Sequence, residues 1–147
     1  MGFLEKLKFN FFDAGDMIKD IIKDWKPGNC MTEKDYEKSL YDFLHRRLDD
    51  IQITKQYAKG RIHADLVVGD KVIIELKNNL NTTSKYQRLI GQLTEYGDWR
   101  GQVILVLIGD TDPNLKKQLY KYIEKVSDDF FEKSIIVVEK FIKRKKK

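Results

Sequence analysis

Six consecutive aliphatic residues, Val103-Ile104-Leu105-Val106-Leu107-Ile108, restrict the folds open to this chain more than any other segment. A strand with one face in water alternates apolar and polar residues, and this one does not. Such a run is the pattern of a strand buried on both faces, at the centre of a sheet that helices cover on each side. The segment 102–108 is therefore read as a central strand, and the rest of the chain must supply the covering helices.

The flanking pattern supplies them. Tyr36, Leu40, Phe43, Leu44 and Leu48 recur at helical spacing after Thr32 and Asp35, which read as a helix start, so a helix is expected over 32–48. Residues 51–57, 61–68 and 71–77 read as three strands, with a hairpin signal at Gly69-Asp70. Helices are expected over 84–99 and from Asp112-Pro113 to about residue 126, and a last strand over 134–142. Antiparallel strands followed by strand–helix alternation imply an α/β fold with a mixed sheet and helices on both faces. Ahead of this, Leu4, Leu7, Phe11, Met17, Ile18, Ile21, Ile22 and Trp25 form an apolar stripe at helical spacing that ends at Pro27-Gly28-Asn29. The expected division is a helical extension and linker over 1–29, one domain over 30–142 and a basic tail over 143–147.

Composition narrows the function classes. With 147 residues, 41% hydrophobic and 12% aromatic, the chain has the material for one core. Lys and Arg total 28 against 23 Asp and Glu, a net charge of +5 that includes the five-residue tail and so permits a polyanionic partner without demanding one. Cys30 is the only cysteine, which excludes an intramolecular disulfide and cysteine-rich metal clusters. No apolar run has the roughly 20 residues that span a bilayer, and Glu5, Lys6 and Lys8 interrupt any signal-peptide core, so a cytoplasmic protein with no membrane partner is expected.

The chemistry concentrates in Gly60-Arg61-Ile62-His63-Ala64-Asp65-Leu66-Val67-Val68 and Lys71-Val72-Ile73-Ile74-Glu75-Leu76-Lys77. Charged groups inside apolar strands are costly unless they are paired or bound to metal. Glu75 and Lys77 project from one face of their strand, and Val72, Ile74 and Leu76 from the other. A tight two-residue turn at Gly69-Asp70 would pair residue 65 with residue 74 and put Asp65 on the wrong face. Convergence of Asp65 with Glu75 therefore requires a one-residue offset, such as a bulge with a left-handed Gly69. Two converged carboxylates would suit Mg2+ or Mn2+, with Lys77 placed to orient or deprotonate a water and to offset transition-state charge. The bland alternative is a buried ion pair, Glu75 with Lys77 or Asp65 with Arg61.

Asp65 with Glu75-Leu76-Lys77 resembles the signature of the PD-(D/E)xK nuclease superfamily, the restriction-endonuclease-like fold. The order helix, three antiparallel strands, helix, strand over 32–108 is similar to that family's core. Gln92-Leu93-Thr94-Glu95-Tyr96 resembles the Q-x-x-x-Y element of its RecB-like branch, and together these features cover about half the chain. The resemblance implies Asp65 and Glu75 as metal ligands with the Leu76 carbonyl as a third, and Lys77 as the catalytic lysine. It implies Glu37 as an accessory carboxylate, and Gln92 and Tyr96 as residues that steady the site or touch the nucleic-acid backbone. Ala64 stands where the family name has proline, a departure that affects backbone shape more than chemistry.

The implied activity is divalent-metal-dependent hydrolysis of DNA phosphodiesters, with RNA left open and with junctions, flaps or single-stranded ends as substrate structures. Lys55, Lys59, Arg61, Lys85 and Arg88 flank the carboxylates and are candidate nucleic-acid contacts, although lone surface charges are usually just solvated. His63 is read as a hydrogen-bonded strand residue and His45 as a surface residue. A homodimer through the first 26 residues is one use of the N-terminal stripe. The rival reading is a non-catalytic nucleic-acid-binding or assembly module that keeps the same fold; metal binding separates the two.

Overall fold

The computed structural model describes Gly2, residues 14–129 and residues 135–140, with side chains up to residue 126 and over 135–140. The expected tail over 143–147, and the part of the N-terminal stripe before Ala14, lie outside these residues. Helix α1 spans Ala14–Asp24 and α2 spans Glu33–Arg47. Strands β1 (Ile53–Lys59), β2 (Ile62–Val68) and β3 (Val72–Asn78) follow, then α3 (Thr83–Glu95) with one 3-10 turn (Tyr96–Asp98). Strand β4 (Gln102–Ile108), α4 (Pro113–Asp129) and β5 (Ile135–Lys140) complete the described chain. No described helix is long and apolar enough to cross a membrane.

The five strands form one sheet in the order β1-β2-β3-β4-β5. β1, β2 and β3 are antiparallel, whereas β4 and β5 run parallel to β3. This is the α/β mixed sheet that the sequence pattern implies. Each parallel connection needs a crossover helix, and two successive crossovers of the same hand put both helices on one face. Accordingly Leu89 and Leu93 of α3 and Leu119 and Ile123 of α4 pack on Val67, Ile73, Val103, Leu105 and Leu107. The opposite face, with Leu66, Val68, Ile74, Leu76, Ile104 and Val106, is covered by Ile18 and Ile22 of α1 and by Leu40 and Leu44 of α2. Alternate residues of β4 thus feed two separate cores, which is why its sequence has no polar position to spare.

Local signals set the helix starts. Thr32 caps α2 in a reciprocal capping box: its hydroxyl accepts the Asp35 N–H at 3.2 Å, and the Asp35 carboxylate accepts the Thr32 N–H at 3.0 Å. Thr82 caps α3 by accepting the Lys85 N–H at 3.2 Å. The helix expected over 84–99 ends earlier, at Glu95, and tightens into the 3-10 turn, which brings Trp99 Nε1–H to within 3.3 Å of the Lys71 carbonyl.

That carbonyl also accepts the Gln102 N–H at 3.0 Å, so the base of the β2–β3 hairpin is tied to the start of β4. Gly101 sits in the gap, and a Cβ there would overlap the Lys71 carbonyl oxygen. Replacement of Gly101 by Ala is expected to destabilise the protein by about 1–3 kcal/mol, because backbone must move. Gly97→Ala, where a Cβ would meet nothing within 4 Å, should cost less than about 1 kcal/mol. Urea denaturation of the two variants checks this, with equal effects counting against the packing argument.

Candidate metal and phosphate site

The β2–β3 pairing runs Val68 to Val72, Val67 to Ile73 and Leu66 to Ile74, one residue out of step with a plain two-residue hairpin. Gly69 (φ 56°) and Asp70 (φ 54°) are both left-handed, and Lys71 N–H closes the turn on Val68 O at 3.1 Å. Lys71 is the extra residue, so the required offset lies at the turn. Continued one step, the same register sets Asp65 against Glu75 on a common face.

The backbone ladder stops there. Side chains replace it: the Leu76 N–H donates to Asp65 Oδ2 at 2.9 Å, and the Asp65 N–H lies 3.4 Å from Glu75 Oε2. Beyond this fork β2 continues on β1 alone and β3 on β4 alone. On the far side of Asp65, Gln56 of β1 takes a left-handed φ of 49°, and its amide donates to Glu37 Oε1 at 2.8 Å. Non-glycine residues adopt such backbone at a cost and cluster at functional sites.

Glu75 is the only charged side chain among the described residues to be fully buried, at 1% exposure. The Tyr96 hydroxyl lies 2.6 Å from its Oε2 and 2.8 Å from the His63 carbonyl, and Lys77 Nζ lies 3.5 Å from its Oε1. A phenol has one hydrogen, so both Tyr96 contacts are full hydrogen bonds only when the Glu75 carboxyl is protonated and donates to Tyr96. Burial is the main reason that Glu75 holds its proton above the ordinary carboxylate range, against the opposing pull of Tyr96 and Lys77. Asp65 is pushed up to about 7, first by burial and then by the Glu75 charge. The Tyr96 phenol is driven far up by burial and by Glu75, so it stays a donor.

The residues singled out in the sequence divide into groups. Asp65, Glu75, Lys77 and Tyr96 are in mutual contact or one residue removed from it. Glu37 contributes an unfavourable charge interaction to Asp65 from α2. Glu33, one helical turn earlier and exposed at the surface, feels the same charges: partial desolvation raises its carboxyl most, Lys77 lowers it, and Asp65 and Glu37 raise it again. Glu33 was not expected from the sequence, although its i, i+4 relation to Glu37 is the signal that could have found it. Gln92 stands one turn before Tyr96, and its Oε1 is buried without a hydrogen-bond partner among the described residues. Lys85 and Arg88 line a cleft with Lys77, Glu33, Asn78 and Asn79.

The other basic candidates lie elsewhere. Lys55 Nζ sits 4.5 Å from the Tyr41 ring centroid, and that ring stacks on His45 at 5.7 Å. Lys59 and Arg61 flank Gly60 at the tip of the β1–β2 hairpin, where Arg61 is four residues, roughly 13 Å of strand, from Asp65. His63 is exposed and serves the site only through its carbonyl.

Among the described residues no three His, Cys, Asp or Glu side chains converge as a ready-made cation cage. The donor set is instead two carboxylates that repel one another, with Asp65 Oδ1 unbonded among the described residues. Such a pair fits a hard cation that keeps most of its water, as Mg2+ does. No family model, no curated protein and no solved structure matches this chain.

The raised carboxyls fix the sign of the pH dependence. Asp65 holds a proton up to about pH 7 in the folded protein but only to about pH 4 when unfolded. The folded state binds more protons between these values, so stability falls as pH rises through that window. Without divalent cations, Asp65→Asn should raise stability at pH 8 by about 1–3 kcal/mol and flatten the decline between pH 4 and 7. Thermal melts of both proteins in EDTA across that range test this, and a variant less stable than the parent at pH 8 would refute it.

Proposed function

We propose that the chain is a divalent-metal-dependent nuclease of the restriction-endonuclease-like kind, hydrolysing DNA phosphodiester bonds. The observation that carries the reading is the fork in the sheet: the offset hairpin sets Asp65 beside Glu75, with Lys77 3.5 Å from Glu75, at the carboxyl half of a strand paired in parallel. Open α/β sheets bind ligands at the carboxyl ends of their strands. The order of α2, β1, β2, β3, α3 and β4 supports the same reading.

Asp65 and Glu75, with the Leu76 carbonyl, would hold the cation. When bound, Mg2+ or Mn2+ supplies Lewis acidity toward a phosphodiester oxygen and toward water. The chain's own groups do the rest. Tyr96 fixes the Glu75 carboxyl by its hydroxyl, and the Leu76 N–H fixes Asp65, so neither carboxylate needs to reorganise. Lys77, with 15% of its side chain exposed, stands where a cationic head meets solvent and substrate. There its ammonium orients the attacking water and offsets charge on the phosphoryl oxygens. Glu33 and Glu37 add negative charge on the α2 side.

The chain incubated with labelled single-stranded, duplex, flap and four-way-junction DNA should cleave in Mg2+ or Mn2+ and not in EDTA. Lys77→Ala and Glu75→Ala should each lower the rate by about 10²-fold or more. Their parallel loss also excludes a contaminating nuclease, and the preferred substrate assigns the subtype. Binding without cleavage in either metal, unaltered by both substitutions, would replace this reading with that of a nucleic-acid-binding module.

A further inference from the structure

Lys77 links the carboxylate pair to a second feature. At the carboxyl end of β3, beside the amino end of α3, lies a polar cleft of about 280 Å³ lined by Glu33, Lys77, Asn78, Asn79, Lys85 and Arg88, with Leu80 at its base. Lys77 belongs to both places, since its Nζ is 3.5 Å from Glu75 Oε1.

The cleft's donors are arranged for an anion. Lys85 Nζ is held by two neutral oxygens, the Asn79 carbonyl at 3.1 Å and Asn81 Oδ1 at 3.4 Å, and three donors on the ammonium leave one for a ligand. Among the described residues no carboxylate lies within ion-pair distance of Lys85 or Arg88. Asn79 is left-handed (φ 56°), and its Oδ1 accepts the Asp110 N–H at 2.9 Å. Its acceptor is thereby engaged by backbone, and its amide N–H groups, which have no partner among the described residues, remain for the cleft. The carbonyl of Leu80 accepts the Asp112 N–H at 2.9 Å, and Asn79 N–H binds Ile108 O at 2.8 Å, so the loop carrying these groups is pinned to the end of β4. One lining group opposes an anion: Glu33, whose carboxyl faces Lys77 and Lys85 from α2.

We propose that this cleft is a phosphate subsite, in which Lys85 and Arg88, with Lys77 and the Asn79 amide, hold a nucleic-acid phosphate next to the one at the carboxylate pair. The proposal rests on the nuclease reading for what lies at the carboxylates, but it concerns binding rather than cleavage. The group held is a phosphate oxyanion, whether an internal diester or the terminal monoester of a strand end. Glu33 limits the affinity of the subsite by repulsion.

The test uses the full chain in EDTA, where cleavage plays no part. Fluorescence anisotropy follows binding of dye-labelled single-stranded DNA, with a 5′-phosphate or a 5′-hydroxyl, across a range of NaCl. Lys85→Ala and Arg88→Ala should each weaken binding about fivefold or more and reduce the salt slope by about 0.7–1. Both residues are exposed, so their loss spares the core. Glu33→Gln should tighten binding about two- to fivefold, and Lys121→Ala, an exposed cation on α4, should change it by less than about twofold. Losses confined to the phosphorylated strand assign a terminal phosphate, and equal losses on both strands assign an internal one.

Unchanged affinity in Lys85→Ala and Arg88→Ala would overturn the proposal. So would equal losses in Lys121→Ala, which would mean diffuse attraction with no subsite. If cleavage fails while these binding losses appear, the subsite stands and the nuclease reading falls. If cleavage succeeds while they are absent, only the subsite falls.

Discussion

Where the pairing of β2 with β3 ends, after Leu66 and Ile74, the chain places two carboxylates in the position of the missing ladder bonds. Buried backbone N–H groups must find acceptors, and the N–H of Leu76 finds one in Asp65. This arrangement exists because the turn at Gly69 and Asp70 uses one residue more than a plain two-residue hairpin. The surplus residue, Lys71, is then fastened by its carbonyl to Gln102 and Trp99. Shift that register by one and Asp65 would move to the face of Ile74, among the side chains of α1 and α2.

Such a site is costly to keep. Two carboxyl groups withdrawn from water and set side by side favour protonation, and Tyr96 and Lys77 offset this only in part. A core built for stability alone would place apolar groups there, since buried charges return little net stabilisation. The surrounding packing is strong enough to carry the cost: Ile73, Ile74, Leu76 and Leu105 are wholly buried, and each face of the sheet has its own helical cover. The result is a rigid platform with a charged notch. Glu33 and Glu37 stand on α2 and Lys85 and Arg88 on α3, with Lys77 between them.

Much of this was legible in the sequence, for identifiable reasons. The unbroken aliphatic run of β4 implied helices on both faces, and the Thr32–Asp35 spacing marked the start of α2. The spacing of Glu75 and Lys77 within an apolar strand marked the chemical face. The need for an offset at the hairpin followed from side-chain parity, and a left-handed Gly69 was one form expected for it. That Lys71 is the surplus residue did not follow, because its carbonyl is held by Gln102 and Trp99, which are distant in sequence. Glu33 was missed since exposed helical glutamates are common, and only the fold shows that this one faces Lys77. Tyr96 could equally have been core; its hydroxyl meets Glu75 because α3 ends in a 3-10 turn earlier than helical periodicity suggests. The left-handed Gln56 has no local sequence signal, as it arises from β1 passing the fork.

The proposed cation site at Asp65 and Glu75 depends on the hairpin offset that sets the two side by side. Calorimetric titration of Mn2+ into the chain at pH 7.5, beside Glu75→Gln, tests it without reference to any substrate. A saturable site is expected in the parent, with partial proton release because Asp65, pushed up to about 7, still holds some proton at pH 7.5, and loss of that site in the variant. No saturable binding in the parent, or binding unaltered by Glu75→Gln, would contradict it.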